Sequence, residues 1–586
     1  MKSFFKNILS TVLGFVLSFI ILIILSIGII SIAITSLDNK SNENIKQGSI
    51  LKINLSNPIV EQASENPFES LSLNNFSPEI KIELRDILKN IEKAKNDERI
   101  KGIYLTCSSI NAGLSQTEEI RNKLLDFKSS GKFIISYAEN YTQKGYYLSS
   151  IADEIYLNPE GIVELKGFSA SIMFFKGLLE KLDVKVQVIR HGKFKSAIEP
   201  FVLTKMSAEN RKQMSLLINT IADNVLDSIA SQRGLSLKKI EEITNTLDCN
   251  TATKCIEYNF IDELLYEDQV IHKLKNNLGD TNNINLVSLQ KYRNVLLKKK
   301  EKISRDKIAI IYTTGEISSG KGDLESIGSE TTVKAIRKAS KDKRIKAIVL
   351  RINSPGGSAI ASDVILREIM LAKLKKPIVV SMGDVAASGG YYIACAADSI
   401  VANPTTITGS IGVFGLIPNM QNFYRNKLGI TIDTVNTHKY ADMGINRPLT
   451  DFEAKKIQES IKKIYKTFIE HVSLGRNISI AAVDEIGQGR VWTGYDAKRL
   501  GLVDVLGGLE KAIEIASYLA KIDNYRLISL PEKEDPFETM IKGIKGEETI
   551  AITNYLGIDP KYVKTVETLI HGERIKTRIP FILEVN

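Results

Sequence analysis

The chain contains one pattern twice. The segment "DERIKGIYL" from Asp97 returns as "DKRIKAIVL" from Asp342, 245 residues later. At the same offset "KGYYLSSIADEIYLNP" from Lys144 matches "GGYYIACAADSIVANP" from Gly389. One residue further out of step, "EKLDVKVQVIRHGKFK" from Glu180 matches "NKLGITIDTVNTHKYA" from Asn426. Further along, "IEYNFIDEL" from Ile256 echoes "AKRLGLVDVL" from Ala497. Solenoid units recur at roughly 20–50 residues, so this period is far too long for one. It demands a fold that closes its own core twice, and 586 residues at roughly 150 per domain leave room for that.

Each copy reads as α/β. The runs "KGIYL", "KFIISY", "KAIVLRI" and "KPIVVSM" are short, apolar and β-branched, as strands buried on both faces are. Helical stretches lie between them, among them "TTVKAIRKASKDK" from Thr331 and "ASDVILREIMLAKLKK" from Ala361. This alternation predicts a parallel sheet with helices packed on it. A long helix is expected after Ser207, stopping at Gly234, and another after Thr450, whose spacing to Glu453 fits a capping box.

The ends differ from the repeats. Residues 7–37, between Lys6 and Asp38, carry no charge. About 20 apolar residues span a bilayer core, whereas a signal-peptide core has only about 7–15. The run therefore predicts one membrane-spanning helix, and Lys2 and Lys6 ahead of it put the N-terminus in the cytoplasm. The expected division is a cytoplasmic stub and transmembrane anchor at 1–46, a first copy at 47–295, a linker at 296–306, a second copy at 307–530 and a tail at 531–586. The tail has no counterpart in the first copy. The joining stretch, about 283–306, carries Lys298, Lys299, Lys300 and Lys302, and reads as a solvated linker. A net charge of +10 without an aromatic platform argues against nucleic acid. Four cysteines without a CxxC pair argue against a disulfide scaffold or zinc module, and no metal or cofactor is expected.

Chemistry is expected where the copies diverge. After "AIVLRI" the second copy has "NSPGGSA", with Gly356 and Gly357, where the first has Asn111 and Ala112. A Gly-Gly turn at a strand end lets backbone N–H groups face a cavity, as an oxyanion hole requires, although it also serves as a plain turn. After "PIVVSM" the second copy has "GDVAASGGYY", with Ser388 ahead of Gly389, where the first has Gln143. A serine at such a junction is a candidate nucleophile, with the Gly389 N–H beside it. Its base is either His438, for which no orienting Asp is recognisable, or a lysine held neutral by burial. The first copy offers Lys193 and Lys195 in "HGKFKSAIEPF", and Lys195 aligns with Ala441. One copy thus has the amine without the serine, and the other has the serine without the amine. That is the pattern a single site built from both copies would leave.

These motifs, together with "ANPTTITGSIGVFG" and "GRVWTGYDAKRLGLVD", resemble the long, tandem-repeat form of bacterial signal peptide peptidase A (protease IV). That family comprises Ser/Lys endopeptidases of the ClpP/crotonase-type fold. The resemblance runs from the anchor to about residue 520. It implies Ser388 as nucleophile, Lys195 as general base and Ser410, in "TGSIG", as the serine that hydrogen-bonds the amine. It further implies an oxyanion hole from the PGG loop (Gly357, with Gly356 beside it) and Gly389. It implies signal peptides and other apolar peptides as substrates, a homotetramer, and a single-pass place in the bacterial inner membrane with the catalytic part on the periplasmic side. Residues 7–37 would contact lipid. Two other classes remain open: a crotonase-like acyl-CoA enzyme, and a non-catalytic membrane scaffold.

Overall fold

The computed structural model describes residues 45–64, 80–278, 284–295, 304–532 and 575–578, with positions 11, 13–15, 17–19, 21 and 22 near the N-terminus. Each copy builds a mostly parallel sheet. The first runs in the order Glu263–Leu264, Glu154–Leu157, Phe133–Ala138, Ile100–Leu105, Ser49–Ile53, Leu286–Ser288, every neighbouring pair parallel. The second runs Val491–Thr493, Ile407–Gly409, Ile378–Ala387, Ile345–Ser354, Lys307–Thr314, Arg526–Leu530, with Val491–Thr493 antiparallel at its edge. The four apolar runs read from sequence are the central strands. Past their leading residues these runs are buried on both faces because helices cover the sheets.

The long helices form as their caps dictate. Ala208–Arg233 begins where the Ser207 side chain accepts the Asn210 N–H and ends at Gly234, whose φ is 65°. Asp451–Arg476 begins with the Thr450–Glu453 capping box. The joining stretch differs from expectation. Leu286–Ser288 pairs in parallel with Ser49–Ile53, and Tyr292 is buried with its hydroxyl on Asp97 Oδ2. Its first part is therefore an edge strand and short helix of the first sheet. A three-residue strand beside a lysine run leaves too little period to be read from sequence.

A third sheet draws on both copies. Its order is Ser326–Gly328, Glu316–Ser318, Gly356–Ser358, Ile575–Arg578, Val413–Asn419, Lys185–His191. The last two strands pair antiparallel along seven residues, from Val413 with His191 to Asn419 with Lys185. This pairing carries the segment after His191 into the second copy.

A buried polar cluster also joins the copies. Arg351, fully buried, places its guanidinium on Glu61 through two 2.9 Å bonds and on Glu119 at 2.7 Å. Asp384 accepts the N–H groups of Ser115 and Gln116 at the start of helix Leu114–Lys128. A Cβ on Gly113 would lie 2.0 Å from the Asp384 carboxyl carbon, so only glycine lets that helix end approach. Burial pushes Asp384 up to about 6 and Glu118, which accepts the Thr405 hydroxyl, up to about 7.

Among the described residues no helix is long and apolar enough to cross a membrane. The span expected at 7–37 lies mostly outside the described residues. The positions described there are helical, and Leu13, Phe15, Leu17 and Phe19 are exposed.

Candidate active site

Ser388 closes the strand Ile378–Ala387 and precedes the short helix Gly389–Ala394. Its φ of 56° and ψ of −111° are sparsely populated for a residue with a side chain. The conformation is held from both sides: Ser388 N–H donates to Gly409 O at 2.8 Å, and Ser388 O accepts from Tyr392 N–H at 2.8 Å. The side chain is fully buried.

Lys195 follows the strand Lys185–His191, which the third sheet holds against the second copy. Its Nζ lies 2.8 Å from Ser388 Oγ, across 193 residues of sequence. It also donates to Ser410 Oγ at 3.0 Å and to Ser410 O at 3.1 Å. Lys195 is 0% exposed, and burial, with no charged neighbour contributing among the described residues, holds its amine well below the ordinary lysine value. The structure separates the sequence candidates. Lys193, two residues away, is exposed, and so is His438, whose ring meets Thr437 Oγ1.

The glycine loops meet beside the serine. A Cβ on Gly356 would lie 2.8 Å from Gly389 N, and one on Gly389 would lie 3.1 Å from Gly357 N. The two amides expected to bind an oxyanion therefore share one corner. Gly356 differs from them: its N–H already donates to Ser354 Oγ at 3.2 Å, and its φ is 103°. Its part is to turn the chain there. In the first copy, Gln143 stands where Ser388 does. Its side chain bonds the backbone of Lys166 and Gly167.

Sequence reasoning missed the loop that seats the lysine. Gln488 O accepts the Phe194 N–H at 2.9 Å, and Ser410 N–H donates to Arg490 O at 2.7 Å. Gly489 lies on Lys195 itself; a Cβ there would fall 2.5 Å from Lys195 Cβ and 2.7 Å from its Cα. Phe414 forms another wall, its ring centre 6.0 Å from Nζ. The one available signal was the paired glycines of "IGQGRVW", Gly487 and Gly489.

Peptidase family S49 matches residues 126–280 and again residues 371–523. The chain is 35% identical over 555 residues to "Serine protease SPPA, chloroplastic" of Arabidopsis thaliana, covering 92% of this chain and 79% of that one. It is 36% identical over 525 residues to "Protease 4" of Salmonella typhi, covering 87% and 84%. Among solved structures, a point mutant of ClpP1 from Listeria monocytogenes aligns at 16% identity over 35% of this chain and 94% of that chain, with a TM-score of 0.24. With the family domain matched twice and relatives aligned over most of both lengths, the chain belongs to peptidase family S49 and is a serine-type peptidase.

Proposed function

We propose that the chain is a membrane-anchored endopeptidase whose single site uses Ser388 as nucleophile and Lys195 as general base, and that it degrades cleaved signal peptides and other apolar peptides. The observation that carries this reading is the contact of a fully buried amine, with no carboxylate beside it among the described residues, with a buried serine hydroxyl at 2.8 Å. Neutral Lys195 Nζ takes the Ser388 proton, and Oγ attacks the substrate carbonyl. The Gly357 and Gly389 N–H groups receive the oxyanion. The ammonium then protonates the leaving amine, and Lys195 in turn activates the water that releases the acyl group. Ser410 aims the amine through its hydroxyl. Arg351 and its carboxylates hold the copies in the register that the dyad needs.

Each copy, at 47–295 and 307–530, is read as a ClpP/crotonase-type domain, with 296–306 as linker. The exposed apolar side chains at Leu13, Phe15, Leu17 and Phe19 support a membrane anchor within 7–37, with the catalytic part on the periplasmic side of a bacterial inner membrane. Self-association as a homotetramer is supported by the repeat. Lys185–His191 pairs with Val413–Asn419 inside the chain, but their counterparts, 431–437 and 168–174, form no strand. Ile432, Val435 and Met173 on these segments are exposed. The same pairing made between chains would join them head to tail, and such contacts close into a ring where the rotation between copies allows it. Light scattering on the detergent-solubilised chain checks this; a monomer would refute it.

Cleavage of an apolar peptide by the full chain in detergent tests the catalytic reading. Ser388→Ala and Lys195→Ala should each abolish turnover, while Lys193→Ala leaves it unchanged. Turnover retained in both of the first two variants would refute the dyad. Acyl-CoA turnover surviving Ser388→Ala would favour the crotonase-like class.

A further inference from the structure

The last described segment, Ile575–Arg578, belongs to neither copy, yet it lies in the cleft beside Ser388. It runs antiparallel to Gly356–Ser358, with Gly356 opposite Arg578, Gly357 opposite Thr577 and Ser358 opposite Lys576. On its other side it runs antiparallel to Val413–Asn419, with Phe414 opposite Lys576 and Gly415 opposite Ile575. Neighbouring strands stand about 4.8 Å apart, so these two edges leave a slot of about 10 Å that one extended chain fills. Any other occupant would leave facing N–H and C=O groups unpaired.

The strand touches both loops assigned to the oxyanion. Thr577 is fully buried, and its hydroxyl donates to Gly357 O at 3.1 Å. Thr577 O lies 2.0 Å from where a Cβ on Gly356 would stand, and Thr577 Oγ1 lies 2.9 Å from where one on Gly389 would stand. Lys576 Nζ reaches Glu316 at 3.3 Å, one strand beyond the PGG edge. The segment therefore has backbone pairing on two sides, a buried central side chain and a charge anchor.

We propose that the C-terminal strand is a tethered occupant of the substrate groove, competing with peptide substrates for the slot between Gly356–Ser358 and Val413–Asn419. The proposal rests on the reading of Ser388 and Lys195 as the peptidase site. Substrates then enter as extended strands, by the same edge pairing that other proteins use to recognise peptides. An apolar peptide that is helical in the membrane has to unwind first.

Three forms test this: the full chain, a chain ending at Glu532, and the full chain with Lys576→Glu, which sets a carboxylate against Glu316. Cleavage of a fluorogenic apolar peptide is measured with each. Loss of a tethered competitor should lower the apparent KM of the chain ending at Glu532 by about tenfold or more, with kcat nearly unchanged. Lys576→Glu should shift it the same way, and adding Glu316→Lys should restore it. The synthetic peptide GERIKTRIPF, residues 572–581, should inhibit the shortened chain competitively. Unchanged KM after shortening, or lower kcat and lower thermal stability together, would overturn the proposal and assign the strand a structural role.

Fluorescence anisotropy separates the two readings. The labelled peptide should bind the shortened Ser388→Ala chain and be excluded from the full-length Ser388→Ala chain. That result in a protein without peptidase activity would leave the tail inference standing and remove the catalytic one. Active enzyme that does not bind the peptide would do the reverse.

Discussion

Replacing Gly489 by alanine should separate Lys195 from Ser388, the proposed base from the proposed nucleophile. Gly489 has φ 81°, a conformation that costs an alanine roughly 1–2 kcal/mol. The added Cβ would lie 2.5 Å from Lys195 Cβ and 2.7 Å from its Cα and N, where ordinary contacts between such atoms exceed about 3.5 Å. Relief of that overlap needs a shift of about 1 Å, and the neighbour is backbone rather than the end of a flexible side chain. The lysine has to move as a unit, away from a hydroxyl now 2.8 Å from Nζ. A 1 Å error in a reacting group costs about 100-fold in rate. Gly489→Ala should therefore lower kcat about 100-fold with little change in KM. Melting should fall by only a few degrees, since 1 kcal/mol moves a domain of this size by about 2–4 °C. Gly501→Ala is the control: φ there is 77°, but the new Cβ meets only the Ile478 side chain, at 3.3 Å. It should lose similar stability and keep its activity. If Gly489→Ala keeps its kcat within threefold, or Gly501→Ala loses as much, the loop does not seat the lysine.

Two further outcomes are expected. Because burial lowers Lys195, kcat/KM should rise with pH along a limb whose midpoint lies well below the ordinary lysine value, and a midpoint near 10.5 would refute a buried neutral base. Stability should run the opposite way: Glu118 is raised from 4.5 to about 7 in the folded chain. Its contribution is full below about pH 4.5 and is lost as pH rises through about 7, a difference on the order of 3 kcal/mol. Asp384, raised to about 6, acts in the same direction. Thermal melting of the full chain at pH 5 and pH 8 should show the decline, Glu118→Gln should flatten it, and an unchanged slope in that variant would sink the assignment.

Much of the proposed site is legible in the sequence, because the repeat supplies an internal comparison. Set against Gln143, Ser388 stood out; set against Ala441, so did Lys195. The choice between Lys193 and Lys195 was a different matter. The repeat marks Lys195 by its loss in the second copy, but only burial shows that the first amine is exposed and the second enclosed. His438 left contention for the same reason. The cluster of Arg351 with Glu61 and Glu119 was not legible, since those carboxylates lie 290 and 232 residues from the arginine and no local pattern links them. Nor was the edge strand Leu286–Ser288, which is too short to show a period.

By itself the sequence determined the doubled α/β plan, the helix caps and the complementary loss of amine and hydroxyl. These depend on short-range periodicity, on cap residues and on likeness between the halves, all written in neighbouring letters. The tertiary structure alone decided which lysine is desolvated, that Gly489 lies against it, that Gly356 turns the chain while Gly357 and Gly389 share the corner beside Ser388, and that Thr577 of the unmatched tail fills the groove. Desolvation and strand pairing are properties of what surrounds a group. Those surroundings exist only once segments hundreds of residues apart have packed together.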